Sequence, residues 1–243
     1  MKKQIKIILL AIVIFILGCE ADDPKSFYGG SDLLNLVESA WEDFRDGDYI
    51  ASLAKFEEAK EIADGQTDTD TLLIHSTYGN IHTGIGWCNL RLLNANVARD
   101  NFIISQGYEL FSFGTSVGLM AAYFELGNEI PMDIAHINLA IEIGHWIFSS
   151  GMPEEFENDV TINVNDVKLL MAKSYYAKGD LSDNPTEESG ALYWILELDA
   201  GFGYLNANPL TWNLYDYGIQ DFDSFDEVIL MILMEMEMEV FPA

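Results

Sequence analysis

The side chains that most often carry out chemistry are few and scattered in this sequence. Four histidines stand at His75, His82, His136 and His145, and no two of them have the spacing of a zinc motif such as H-E-x-x-H. His75 and His82 are two helical turns apart, so a helix would place them on one face. Packing accounts for these histidines better than ligation does, and we expect neither a metal site nor a cofactor.

Cysteine chemistry is equally limited. The chain has two cysteines, Cys19 and Cys88. Cys88 follows Trp87 on an apolar helical face, and its only basic neighbour is Arg91. A reactive thiol needs a positive environment that lowers its pKa, so we expect Cys88 to be a buried packing residue.

Two acidic stretches have some of the character of calcium loops. Asp221–Glu227 begins like an EF-hand loop, but its fifth and sixth positions are Phe225 and Asp226, where an oxygen ligand and a glycine are required. Asp64–Asp70 joins two predicted helices, where a solvated polar loop is expected. The sequence also has no nucleophile motif, phosphate-binding loop or dinucleotide fingerprint, and it predicts a protein that is not an enzyme.

The N-terminus has the features of an export signal. Lysines at positions 2, 3 and 6 precede an unbroken apolar run over residues 7–17, which is shorter than the roughly 20 residues of a membrane-spanning helix. The segment Ile16-Leu17-Gly18-Cys19 resembles the lipobox of bacterial lipoproteins. This resemblance implies a signal peptide over residues 1–18 and lipidation at Cys19, while the alternative is an uncleaved signal anchor.

The expected lipid anchor predicts where the protein resides. Residues 19–30 are polar and acidic, and they predict a flexible tether between the anchor and a folded domain. Glu20 follows the cysteine where the usual inner-membrane retention signal has Asp. We therefore expect a lipid-anchored protein of the cell envelope, on the outer membrane, at its periplasmic or its surface-exposed face.

The charge of the chain excludes one large class of partner. It has 40 acidic and 12 basic residues over 243 positions, and removal of residues 1–18 leaves 9 basic residues and a formal charge of −31. No Lys or Arg occurs between Asp100 and Val167 or after Lys178. Nucleic acid binding needs clustered basic residues, so we expect no nucleic acid partner and instead a protein or peptide of basic character.

From Ser31 onward apolar residues recur at steps of three and four, which predicts amphipathic helices. The first unit has two such helices separated by Gly47-Asp48, with Leu33, Leu34, Val37, Ala40, Trp41 and Phe44 on the buried face of the first and Tyr49, Leu53, Phe56, Ala59 and Ala63 on that of the second. One helix hairpin cannot bury both apolar stripes alone. It therefore requires neighbouring hairpins.

The pattern of the first unit returns three times. It recurs 46 residues later, with Gly86-Trp87 at the places of Ala40-Trp41 and Phe102 at that of Phe56. A third, weaker unit has Phe124 and Gly127 at the places of Phe44 and Gly47, followed by a helix after Pro131, and a fourth unit has Ala172, Tyr176 and Gly179-Asp180 at those of Ala40, Phe44 and Gly47-Asp48. These units predict an internal repeat of helix hairpins.

The motif Ala40-x₃-Phe44-x₂-Gly47-Asp48-Tyr49, with Phe56-x₂-Ala59 after it, resembles a tetratricopeptide repeat, although a spacing of 46 exceeds the usual 34 residues. The resemblance implies an all-α fold over residues 31–243, an α-α superhelix of about four TPR-like hairpins. A terminal helix over Val228–Val240 is expected to cap it. It also implies a protein–protein interaction module that holds a peptide or a partner helix.

An aromatic tail keeps a second function open. Trp212, Tyr215 and Tyr217 lie among Asn, Asp and Gly residues, and these three side chains are candidates for stacking on a sugar ring. Outer-membrane glycan-binding lipoproteins of the starch-utilisation type also contain tetratricopeptide helices, so the alternative function is glycan binding. The plain interpretation is that the aromatic residues only pack the tail onto the last hairpin.

Overall fold

A computed structural model describes residues 30–65, 71–108, 112–151, 155–181, 188–202, 229–230 and 232–234. The fold of this part of the chain is all-α apart from one short β-hairpin. Its elements, in chain order, are α1 (Gly30–Arg45), α2 (Tyr49–Asp64), α3 (Thr71–Arg91), α4 (Ala95–Tyr108), α5 (Phe113–Asn128), α6 (Ile134–Ser150), β1 (Glu155–Phe156), β2 (Asp159–Asn163), α7 (Val164–Lys178) and α8 (Ala191–Phe202).

The helices pair into four hairpins, α1/α2, α3/α4, α5/α6 and α7/α8, and each helix packs against the next one along the chain. The first helices of the hairpins also contact one another, α1 with α3, α3 with α5 and α5 with α7. We call these four helices the first-helix layer. The predicted class, an all-α superhelical array of about four hairpins, is confirmed.

The first hairpin shows why this sequence folds as it does. Trp41 is fully buried, with its ring edge-to-face against Phe44 and Phe56 at centroid distances of 5.4 and 5.0 Å. Gly47 has φ +82°, a left-handed conformation that glycine adopts without strain. The Asp48 carboxylate then accepts a hydrogen bond from the Ala51 N–H at 3.0 Å and caps α2.

The 46-residue register is present in three dimensions. Helix α3 ends at Arg91, 46 positions after the end of α1 at Arg45. Helix α4 begins at Ala95, 46 positions after the start of α2 at Tyr49. Phe102 is fully buried like Phe56, and Trp87 is buried like Trp41. The fourth hairpin repeats the turn as well, because Gly179 also has φ +82°.

Some details differ from the expectations. Leu34, predicted on the buried face of α1, is 43% exposed. Gly127 does not form the turn that its alignment with Gly47 predicted, because it still belongs to the last turn of α5, where an added Cβ would come within 2.6 Å of the Ile137 side chain. Close packing of α5 against α6 therefore explains this glycine.

The β-hairpin was not predicted from the sequence. Strands β1 and β2 pair antiparallel, with Glu155 opposite Asn163 and Phe156 opposite Asp159, and the register shifts between the two pairs. Helix α7 begins directly after β2, where the Asn163 N–H donates to the Asp166 carboxylate at 2.7 Å and closes a capping box.

Part of the predicted terminal helix is described. Residues 229–230 and 232–234 are helical, and Ile229 and Leu233 are buried in the common core. The rest of Val228–Val240 lies outside the described residues.

Candidate interaction surface

Three first helices form a notch for one aromatic side chain of the β-hairpin. The Phe156 ring is edge-to-face with Trp41 of α1 at 5.5 Å and stacked on Trp87 of α3 at 5.9 Å. On α5, a Cβ added to Gly114 would come within 2.1 Å of this ring, so only glycine lets the ring approach so closely. We call Trp41, Trp87 and Gly114 the aromatic notch, and Phe156 in it is only 3% exposed.

Polar contacts fix the position of the hairpin turn beside the notch. Arg45 of α1 donates through Nη1 to the backbone carbonyl of Asn158 at 3.1 Å, and the Asn158 amide donates to Asn80 Oδ1 at 3.2 Å. The same Asn80 oxygen accepts the Trp41 indole N–H at 2.8 Å. The hairpin is therefore held by a backbone contact, a side-chain contact and a buried ring.

A cleft of about 590 Å³ opens farther along the first-helix layer, between α5, α7 and the terminal helical residues. Its lining combines apolar and aromatic side chains with three polar or charged ones; the residues are Phe124, Glu125, Asn128, Met132, Lys173, Tyr176, Ala177, Leu230, Leu233 and Met234. The Lys173 ammonium stands 6.0 Å from the centroid of the Phe124 ring. Such a lining suits an apolar side chain with a polar group at its edge.

The histidines of α3 belong to an aromatic cluster. The His82 ring is stacked near Tyr78 and Tyr108, and His75 meets Tyr108 edge-to-face at 5.4 Å. They therefore share a face, as their spacing predicted. Burial lowers the pKa of His82, and its Nδ1 lies 2.8 Å from the Asn101 amide oxygen. Since the Asn101 nitrogen donates to the Val97 carbonyl, the neutral His82 donates to the Asn101 oxygen.

Cys88 is buried, as expected. Burial raises the pKa of its thiol to about 11, and Sγ donates to the Ser52 hydroxyl at 3.2 Å. A protonated thiol that is shielded from solvent is a poor nucleophile. In the described ranges, no group of three or more His, Cys, Asp or Glu residues is arranged to hold a metal ion.

The other residues singled out in the sequence fall largely outside the described part of the chain. Cys19, Trp212, Tyr215 and Tyr217 are outside the described residues, as are Asp221–Glu227 and most of the loop Asp64–Asp70. None of the helices in the described part of the chain has the length and apolar content needed to cross a membrane.

The Phe156 contact was not predicted from the sequence. Two signals pointed to it: the β-branched run Val160-Thr161-Ile162, typical of a strand, and the glycine Gly114 in a buried helix. Glycine disfavours a helix interior, so its presence there often indicates a close approach of another group. Neither signal says which aromatic residue arrives, because Phe156 is more than 40 positions away in sequence.

The fold and this surface define a class, an all-α superhelical array of helix hairpins whose first-helix layer holds other segments of chain. Comparisons find no match to a protein-family model, a curated protein or a solved structure.

Proposed function

We propose that this protein is a lipid-anchored protein–protein interaction module of the bacterial cell envelope, tethered through Cys19 to the outer membrane. The observation that supports this function best is the first-helix layer itself. It already accommodates an extended segment, through Phe156, and it lines a cleft together with a helical one, through Leu233. A surface that binds both kinds of segment from its own chain is suited to bind them from a partner.

The partner is expected to be a protein or peptide of basic character. The chain has 40 acidic and 12 basic residues, and a large negative charge accelerates the association of positively charged molecules at low salt. The cleft between α5 and α7 adds apolar lining for an anchoring side chain. Charge attracts the partner, and the apolar lining determines which side chain it inserts.

Site-specific photo-crosslinking in native envelopes tests the proposal. A photoreactive amino acid replaces Met132 at the cleft. In the matched control it replaces Ile103 on α4, the second helix of its hairpin. The two side chains are similarly exposed, at 49% and 46%. We expect one protein to be crosslinked from position 132 and not from position 103, with a yield that falls as salt increases. Equal crosslinking from both positions would contradict the proposed surface.

The same envelope preparation distinguishes protein binding from the alternative function, glycan binding. It depends on Trp212, Tyr215 and Tyr217, and aromatic stacking on a neutral sugar responds little to salt. A native ligand that is a glycan, whose binding ignores salt and is lost in Trp212→Ala, would replace the protein-binding proposal.

A further inference from the structure

The cleft is a groove whose walls are formed by the faces of helical segments. Each of three segments contributes two lining residues that are one helical turn apart and therefore lie on one face. The pairs are Phe124 and Asn128 on α5, Lys173 and Ala177 on α7, and Leu230 and Met234 in the terminal helical residues. Stripes of this kind are what one helix presents to another when they pack side by side.

Several apolar side chains at the cleft are exposed. They are Met132, from the connection between α5 and α6, and Leu230 and Met234, from the terminal helical residues. Ile130, in the same connection, is completely exposed. Exposed apolar side chains that gather in one place mark a site of contact with another molecule, and the flexible side chain of methionine adapts to the partner that it meets.

The groove suits a helix better than an extended segment. The backbone groups of α5 and α7 bond within their own helices, so the walls of the cleft offer side chains and no strand edge. An extended segment would bury backbone N–H and C=O groups without partners against Phe124 and Leu233, and this costs free energy. A helix bonds its own backbone and presents only side chains.

The charged residues beside the cleft are unevenly distributed. In the described lining, Glu125 is matched by one basic residue, Lys173 on α7. The connection between α5 and α6 adds Glu129, which is exposed, and Asp133, which is half exposed. Helices α5 and α6 and their connection contain no Lys or Arg. The acidic excess therefore lies on the α5–α6 side of the cleft, where a basic group would be attracted.

We infer that the cleft binds an amphipathic α-helix of a partner protein, with its Lys or Arg side chains facing Glu129 and Asp133. The inference rests on the proposed protein-binding function and adds the conformation and the orientation of the bound segment. Apolar side chains of this helix, recurring every three or four residues, enter the cleft beside Leu230 and Met234. The flank that faces Lys173 carries no basic residue.

The test uses the full chain and a fluorescent helical peptide of about 18 residues, with leucines on one face and lysines on one flank. Fluorescence anisotropy measures its affinity for the wild-type protein, for Met132→Ser and for the control Leu139→Ser. Leu139 is exposed on α6 and does not line the cleft. We expect Met132→Ser to weaken binding at least about fivefold and Leu139→Ser to leave it within about twofold. Circular dichroism checks that both variants are folded.

Two charge reversals separate the charge beside the cleft from the charge of the whole chain. Glu129→Lys and Glu142→Lys change the net charge equally at exposed positions, but Glu142 lies on α6 outside the described lining. Glu129 is preferred to Asp133, because Asp133 also caps α6. We expect Glu129→Lys to weaken binding more than Glu142→Lys, with a difference that shrinks as salt increases. Equal weakening would overturn the orientation of the helix.

Three further results contradict the bound helix. They are equal affinity of the peptide for the wild-type protein and folded Met132→Ser, equal affinity of a peptide interrupted by prolines, and a wild-type dimer in light scattering that Met132→Ser abolishes. The last result would make a second copy of the chain the occupant.

The crosslinking in envelopes keeps this inference distinguishable from the proposed function. A partner segment that is crosslinked from position 132 and is acidic or extended would contradict the helix and leave the proposed function intact. Peptide binding that is weakened by Met132→Ser and Glu129→Lys but not by their controls, together with no protein partner crosslinked, would support the helix site and contradict only the proposed function.

Discussion

At the scale of single residues, the two equivalent tryptophans stabilise neighbouring hairpins. Trp41 is fully buried against Phe44, Phe56 and Phe156, and its indole N–H is bonded to Asn80. Large buried aromatic side chains contribute both transfer free energy and packing.

We predict that Trp41→Ala lowers the free energy of unfolding by about 3–5 kcal/mol. Trp146→Ala is the matched control, because Trp146 is 36% exposed whereas Trp41 is fully buried, and it is expected to cost clearly less than Trp41→Ala. Urea unfolding of the two variants measures both values. A small loss at Trp41 would mean that this ring does not join the hairpins.

Asp166 makes stability depend on pH in an unusual direction. Burial raises the pKa of its carboxyl to about 6, while the hydrogen bond from the Asn163 N–H and the charge of Arg91 act against this rise. The folded state therefore binds a proton more readily than the unfolded chain, whose Asp pKa is about 3.8. The resulting stabilisation is complete below pH 4 and is lost as pH rises through 6.

We predict that Asp166→Asn, which keeps an oxygen for the Asn163 N–H, removes this dependence. The wild type should lose about 2 kcal/mol of its free energy of unfolding between pH 4 and pH 7 through this carboxyl, since each pKa unit corresponds to about 1.4 kcal/mol. The variant does not lose this contribution, so its stability relative to wild type should rise by the same amount. Asp166→Ala, which loses the cap, should be less stable than Asp166→Asn at both pH values. An unchanged difference between wild type and Asp166→Asn would show that burial does not affect this carboxyl.

At the scale of helices, close packing depends on glycines that face aromatic rings. An added Cβ at Gly84 of α3 would come within 2.3 Å of the Phe56 ring of α2, and one at Gly118 of α5 equally close to Phe102 of α4. The second helices of the first two hairpins thus each place a phenylalanine ring against the first helix of the next hairpin. These contacts set the separation between successive hairpins.

We predict that Gly84→Ala destabilises the array by about 1–3 kcal/mol through overpacking, despite the better helix propensity of alanine. Gly107→Ala in α4, where nothing lies within 4 Å of the added Cβ, is the control and should be neutral or slightly stabilising. Thermal unfolding compares them. In a Phe56→Leu background the cost of Gly84→Ala should shrink, and an unchanged cost would contradict the ring contact.

At the scale of the whole molecule, the proposed anchor determines where the array functions. Several acyl chains hold a protein stably on a membrane, since each buried CH₂ contributes about 0.8 kcal/mol. The acidic tether that the sequence predicts over residues 19–30 would allow the folded array to approach a partner beside the membrane.

We predict that protein extracted from membranes with detergent has a chain beginning at Cys19 with added acyl mass. Intact-mass spectrometry measures this directly, and Cys19→Ser is expected to release the protein from the membrane fraction. Detection of Met1 on the extracted wild-type chain would contradict the anchor.

The sequence by itself determined the helical array. Helix periodicity, the glycine turns at Gly47 and Gly179 and the buried aromatics Trp41 and Phe56 depend on residues that are close in sequence, so local spacing is enough to reveal them. The same holds for burial of Cys88, because it follows Trp87 on an apolar face of its helix.

Only the tertiary structure decided what covers the first-helix layer. Phe156 reaches Trp41 across 115 positions, and no local pattern specifies a contact between a hairpin and a helix so far apart. Gly127 was misassigned to a turn for the same reason, because a glycine that opens a turn and one that admits Ile137 look alike in sequence. Contacts between residues that are far apart in sequence depend on how the whole chain folds. The candidate surface of this protein consists of such contacts, so only the tertiary structure reveals it.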